Sequence, residues 1–159
     1  MTELERLLAE QACARLVVDF AQYLDDSDYD ALDELLAEDC EYARPFDPAH
    51  PYYGKDKVAA IFRGRRPMLT RHLMTNIRID VLSETEARGS SYLTMLSSPH
   101  TETPPYEAGG IFVGAFNDVF VREGGKWKIK TRKGSLALYQ GGPLPVLPTP
   151  SDEARGVKR

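Results

Sequence analysis

The chain has little cysteine, only Cys13 and Cys40 in 159 residues, too few for a disulfide scaffold or a cysteine-rich zinc site. It has no apolar run near the ~20 residues that a membrane span needs. It has no basic excess either: 20 Lys plus Arg stand against 24 Asp plus Glu, a net charge of −4. Nucleic-acid and anionic-membrane surfaces are built on clustered positive charge, so neither partner is expected. The opening Met1-Thr2-Glu3-Leu4-Glu5 is acidic where a signal peptide would be basic. GxGxxG, a Walker loop, HExxH, paired CxxC and GxSxG are all missing, which removes the commonest signatures of nucleotide, metalloprotease and serine-hydrolase chemistry. A soluble, cytoplasmic protein is the expectation.

What is there suits one ordinary domain. A chain of this length, 42% hydrophobic and 28% charged, can bury roughly 70% of its unfolded surface around a single core. Thr2 and Glu5 form a capping box. Leu4, Leu7, Leu8, Cys13, Leu16, Val17, Phe20, Ala21 and Leu24 then follow as an apolar stripe along a long first helix. It should stop near Asp25-Asp26-Ser27-Asp28, which can also cap a second helix carrying Leu32, Leu35 and Leu36. Glu41 to Arg44 is a short strand candidate, and Pro45 to Gly54, with three prolines, reads as a loop. Asp56 to Arg66 has helical spacing.

Arg71 to Leu82, Glu86 to Leu96, Ile111 to Arg122 and Lys126 to Tyr139 alternate and are rich in β-branched and aromatic residues. Ser83-Glu84-Thr85 and Glu123-Gly124-Gly125 read as hairpin turns. Lys126, Lys128, Lys130 and Arg132 alternate with Trp127, Ile129 and Thr131, the pattern of a strand with a basic outer face. The layout is α+β: helices first, then a curved, mostly antiparallel sheet, over residues 1–140. Residues 141–159, with four prolines, read as a tail, ordered at best where Leu144, Val146 and Leu147 lie on the domain.

Three histidines bear on chemistry. His50 and His100 read as solvated loop residues, whereas His72 opens the first long strand. Alternation sets Ile77, Ile79 and Val81 on one face of that strand and His72 and Met74 on the other. A bulge near Thr75-Asn76, cover on both faces, or a solvent-facing His72 would each reconcile this. From Asp25 to Glu41 there are nine acids and no base, which reads as a solvated face. Asp25 stands apart, because it follows Ala21 by four residues on the stripe's side and should point inward. No metal site is expected, since no pair of candidate ligands has close spacing. Asp25 with His72 is the economical acid–base pair: a carboxylate on one ring nitrogen fixes the tautomer, leaving the other to move a proton. Nothing supplies a covalent nucleophile or redox centre, so the chemistry would be elimination, isomerisation or aldol cyclisation.

Tyr23-Leu24-Asp25-Asp26-Ser27-Asp28-Tyr29-Asp30-Ala31-Leu32, Thr70-Arg71-His72-Leu73-Met74-Thr75-Asn76, and Asp118-Val119-Phe120-Val121-Arg122 through Trp127-Lys128-Ile129 resemble the SnoaL-like branch of the nuclear transport factor 2-like superfamily. Its members include scytalone dehydratase, bile-acid dehydratase and hexachlorocyclohexane dehydrochlorinase. The resemblance implies a cone-shaped α+β barrel around an apolar pocket, often assembled as dimers or trimers. It also implies a cofactor-independent Asp–His dyad, whose matching positions are Asp25 and His72. The chain departs from some relatives in having Phe20 where they place Tyr or Lys, and no second histidine in Ser90 to Met95. A strand tyrosine of that family falls at Arg44 or Tyr42.

The leading expectation is therefore a cofactor-independent lyase or isomerase of dehydratase or cyclase type, acting on a small, largely apolar cyclic or polyketide-like molecule. Phe20, Tyr23, Tyr42, Arg44, Phe62, Tyr92 and Phe116 are expected around the substrate. The alternatives are a non-catalytic binding or assembly module on the same fold, or a small subunit accompanying an oxygenase. Ile111, Val113, Val119 and Val121 alternate with Phe112, Phe116 and Phe120, so both faces of that strand are apolar. A homodimer or homotrimer through the open sheet face would cover the second one.

Overall fold

A computed structural model describes residues 1–99, 103, 105–141 and 149–158. The expectations for His100 and for Leu144, Val146 and Leu147 lie outside them. Helix α1 runs Glu3–Asp26, opened by the Thr2/Glu5 capping box and closed by Ser27 in the left-handed region, φ 58°. Asp28 then caps α2, Tyr29–Glu34, its carboxylate accepting from Ala31 N. The long stripe is real from Ala9 onward: Ala9, Cys13, Leu16, Val17, Phe20, Ala21 and Leu24 are buried. Leu4, Leu7 and Leu8 do not belong to it, and Leu4 is 64% exposed. Counted back at 3.6 residues per turn, the Ala9 face passes through Arg6, whose guanidinium reaches the Val81 carbonyl at 2.7 Å. The three leucines project from the opposite side.

Leu35 and Leu36 leave the second helix because the sheet takes that backbone. Ile129 N donates to Leu35 O at 2.7 Å, and β1, Leu36–Arg44, pairs in parallel with the last strand. The Pro45–Gly54 segment is not all loop. Asp47–Tyr53 forms β2, antiparallel to β1. It is an edge strand, the one place where Pro48 and Pro51 leave no ladder bond unmade on a second side. Helix α3, Lys55–Arg63, follows, then β3 Leu69–Val81, β4 Glu86–Ser98, β5 Gly110–Glu123 and β6 Lys126–Gln140. The order β2-β1-β6-β5-β4-β3 makes one six-stranded sheet, antiparallel except for β1 against β6. Gly124 and Gly125, both at positive φ, make the two-residue β5–β6 turn.

Two irregularities in the sheet decide where functional side chains point. In β3 the register with β4 shifts between Thr75 and Arg78, with Asn76 at φ 50°. Thr70, His72 and Met74 face the interior before this bulge, and Ile77, Ile79 and Val81 after it. Of the three ways to reconcile the alternation, the bulge is the one found. In β6 the register with β5 skips Lys130, so that Ile129 and Arg132 both turn inward. Arg132 is thus no part of a basic outer face; it is buried, 1% exposed. At the far end of the chain α4, Asp152–Arg155, packs back on β2 and α3, where Arg155 Nη1 meets the Pro51 carbonyl at 3.5 Å. The tail is therefore a docked turn of helix at that point. Among the described residues no helix is long and apolar enough to cross a membrane.

Candidate active site

Asp25 lies in the last turn of α1 and His72 near the start of β3. The carboxylate makes three contacts across that junction. Its Oδ1 lies 2.5 Å from His72 Nδ1 and accepts from Thr70 Oγ1 at 2.7 Å. Its Oδ2 accepts from the His72 backbone N–H at 2.8 Å. Both side chains are nearly out of solvent, 7% exposed for Asp25 and 9% for His72. Burial by itself would raise the Asp25 pKa, but the ring and backbone hydrogen bonds from His72, with the Thr70 hydroxyl, outweigh it and hold it below the usual carboxylate value. An ionised Asp25 accepts only, so Nδ1 carries the proton and a neutral His72 has its lone pair on Nε2.

His72 lines a cavity of about 520 Å³. Phe20, Tyr42 and Phe62 form one wall, their rings 5.1 to 6.0 Å apart. Met74, Leu93, Met95 and Phe112 come from the sheet. Phe46, edge-on to Phe112 at 4.9 Å, sits by the β1–β2 turn. The lining is mostly apolar with a few convergent polar groups, the usual make-up of a small-molecule site.

Arg132 is the polar group that sequence reasoning missed. Its guanidinium carbon stands 4.0 Å from the Phe116 ring centroid and 4.6 Å from that of Phe20. Its Nη1 donates to Asp118 Oδ2 at 2.8 Å. The pair is joined by one bond and not by a fork, since Asp118 Oδ1 and Arg132 Nε are buried without a partner. Burial pushes Asp118 up to about 6, with the Arg132 charge and hydrogen bond pulling the other way. The skipped Lys130 was the missing signal; nothing in the alternation of β6 marks it.

Of the side chains expected around the substrate, Phe20, Tyr42, Arg44, Phe62 and Phe116 line this cavity. Tyr23 and Tyr92 do not. Tyr23 is half-buried against the core from the flank of α1. Tyr92 is 56% exposed, because Ser91, Leu93 and Met95 take the inner face of β4. His50 is no loop residue: on β2 its Nδ1 lies 2.6 Å from Asp47 Oδ1, while Asp47 Oδ2 accepts from Arg44 at 3.2 Å. Among the described residues no group of three or more His, Cys, Asp and Glu is placed to hold a metal ion. Cys13 and Cys40 are buried thiols, each pushed up to about 12 chiefly by burial, and neither is a nucleophile at neutral pH.

Helices closing a curved sheet over an apolar cavity, with an aspartate-bound histidine in its wall, define an α+β cone. The SnoaL-like domain model matches residues 5–133, and the chain belongs to that family. No curated protein matches it in sequence. Among solved structures it is similar to a protein from Novosphingobium aromaticivorans provisionally named a scytalone dehydratase. The two are 27% identical, with 91% of this chain and 94% of that one covered and a TM-score of 0.78. The hexachlorocyclohexane dehydrochlorinase LinA type 2 is 18% identical over 94% of this chain and 99% of its own, TM-score 0.74. A second protein of Novosphingobium aromaticivorans, provisionally named an aromatic ring hydroxylase, is 17% identical over 89% and 96%, TM-score 0.68. The last two likenesses concern the fold.

Proposed function

We propose that this protein is a lyase or isomerase, of dehydratase or cyclase type, that uses Asp25 and His72 on a small, largely apolar cyclic or polyketide-like substrate. The observation that carries the reading is the 2.5 Å contact from Asp25 Oδ1 to His72 Nδ1 in the wall of an apolar cavity. The names borne by the dehydratase and dehydrochlorinase structures agree with it. In this reading Nε2 removes a proton from a carbon of the bound substrate, and Asp25 stabilises the imidazolium that results. The C–H electron pair forms the new double bond as hydroxide or halide leaves, or an enolate that closes on a second carbonyl. Arg132, and Arg44 nearer the β1–β2 turn, are the cations that meet the departing or developing negative charge.

Nitrogen-15 NMR of the His72 ring tests the dyad directly. The wild-type protein is expected to hold the Nδ1–H tautomer when neutral, and Asp25→Asn to release it into a mixture. Ring nitrogens that resonate identically in both proteins would leave Asp25 a helix-terminus carboxylate and favour a binding role instead.

A second copy of this chain is the partner that fits the outer sheet face. Leu73 on β3, Val113 on β5 and Leu138 on β6 share one outward row through Thr94 of β4, Tyr92 lies diagonal to it, and Leu138 is 66% exposed. The expected species in gel filtration is a dimer or trimer of the 17.8 kDa chain. Val113→Asp should shift it toward the monomer, and a wild type that elutes as a monomer at micromolar concentration rejects the assembly.

A further inference from the structure

Four arginines line the cavity, Arg44, Arg65, Arg66 and Arg132, and among the described residues no aspartate or glutamate does. Two of the four are matched from behind. Arg132 has Asp118 at 2.8 Å and Arg44 has Asp47 at 3.2 Å. Arg63 shows what an arginine on this segment does when acids are in reach, binding Asp30 at 2.6 Å and Asp33 at 2.7 Å. Arg65 and Arg66 have no ion-pair partner among the described residues, although Arg65 Nη1 lies 3.5 Å from the Leu24 carbonyl. Both sit between α3 and β3, beside the exposed Met68, at the cavity's rim.

We propose that the ligand of this cavity is an amphiphilic anion, with a ring body in the apolar interior and a carboxylate held at the rim by Arg65 and Arg66. The proposal rests on the cavity being the substrate site and names the class of molecule it takes. A ligand filling the cavity covers the rim and strips water from both guanidiniums. A neutral ligand leaves those charges unmatched, whereas a carboxylate presents two acceptor oxygens to planar donor forks. A permanent carboxylate in the interior would have to share Arg132 with Asp118, whereas Arg65 and Arg66 have no acid to share with among the described residues. Of the rim arginines, Arg65 reaches inward electrostatically: burial raises the Tyr42 pKa, and Arg65 acts against that rise together with Arg132 and Arg44.

Calorimetric titration of the full chain carrying His72→Ala tests this, because that variant cannot perform the proposed proton transfer and reports binding alone. The probes are 2-naphthoate, neutral 2-naphthamide and 2-naphthyl phosphate. Naphthoate is expected to bind about tenfold more tightly than the amide. The advantage should shrink at high salt and disappear in Arg65→Gln/Arg66→Gln, with amide affinity retained. Equal affinities for naphthoate and amide, a preference that survives the double substitution, or no binding of any probe at millimolar concentration overturns the proposal. Naphthyl phosphate binding more tightly than naphthoate overturns the carboxylate assignment. None of these results bears on the His72 tautomer, so the dyad stands or falls separately.

Discussion

Replacing His72 with alanine is expected to lower turnover by about 10²–10⁴-fold while the protein still folds. The side chain borders the cavity, so its removal enlarges existing space and does not open a void in packed core. Asp25→Asn should fall in the same range by another route. The amide can still occupy the pocket between Thr70 and the His72 backbone, but it neither fixes the Nδ1–H tautomer nor stabilises the imidazolium. Because the two residues act as a unit, the double variant should be little worse than either single one. The Asp25 carboxylate, held below its usual pKa, stays ionised through the neutral range. Its contribution to stability is present above the unfolded value and is lost as pH falls through the depressed folded one. The acid limb of the pH–rate profile should therefore not be Asp25's. Steady-state assays on ring compounds with an acidic C–H and a β-leaving group check the series. A His72→Ala or Asp25→Asn variant that kept full turnover on a substrate of the wild type would end the catalytic reading.

The inward face of α1 was legible in the sequence, since apolar spacing from Cys13 to Leu24 is regular and Asp25 continues it past Ala21. The same pattern misled at the start of the helix. Leu8 to Cys13 is a step of five, which no 3.6-residue period allows on one face, so Leu4, Leu7 and Leu8 belonged elsewhere. The four long strands and their turns were legible because β-branched and aromatic residues alternate between clear turn residues. Strand β2 was not, because prolines argue against central strands but not against an edge, and edge position is a property of the whole sheet.

Faces proved harder than elements. A bulge flips every later side chain, and the sequence offered only Asn76, a residue tolerant of positive φ, as a hint in β3. In β6 it offered less, so Arg132 stood in line with three exposed or half-exposed lysines and looked like one more of them. Tyr92 and Leu93 are adjacent and both apolar, so alternation alone could not say which faces the cavity. The contact between Asp25 and His72 was legible because the inward stripe of α1 ends on Asp25 and the family resemblance puts His72 at the matching strand position. The charge of the cavity became visible only once the β6 bulge and the α3–β3 rim had been placed in space.

Arg132→Met alone is expected to cost about 3–5 kcal/mol of stability, read as a lower urea midpoint, because it strands a buried carboxylate on Asp118. The Asp118→Val/Arg132→Met pair should recover most of that loss, the lost stacking on Phe20 and Phe116 accounting for the remainder. The pH dependence separates this account from simple packing. Asp118 has a folded pKa raised to about 6, above an unfolded value near 3.9. The native state therefore holds the proton more tightly, and stability is fullest below the unfolded value and declines as pH rises through the folded one. The wild-type advantage over Asp118→Val/Arg132→Met should accordingly narrow between about pH 4 and neutrality. The stability of Arg132→Met should fall more steeply over the same range, having no cation to offset ionisation of Asp118. A single variant that loses less than about 1 kcal/mol, with no such slope, would place the pair in water and not in the core. The double variant also settles what the guanidinium does for chemistry. It removes the buried charges together, and a loss of turnover with the fold intact is the result expected if the Arg132 cation meets the developing anion.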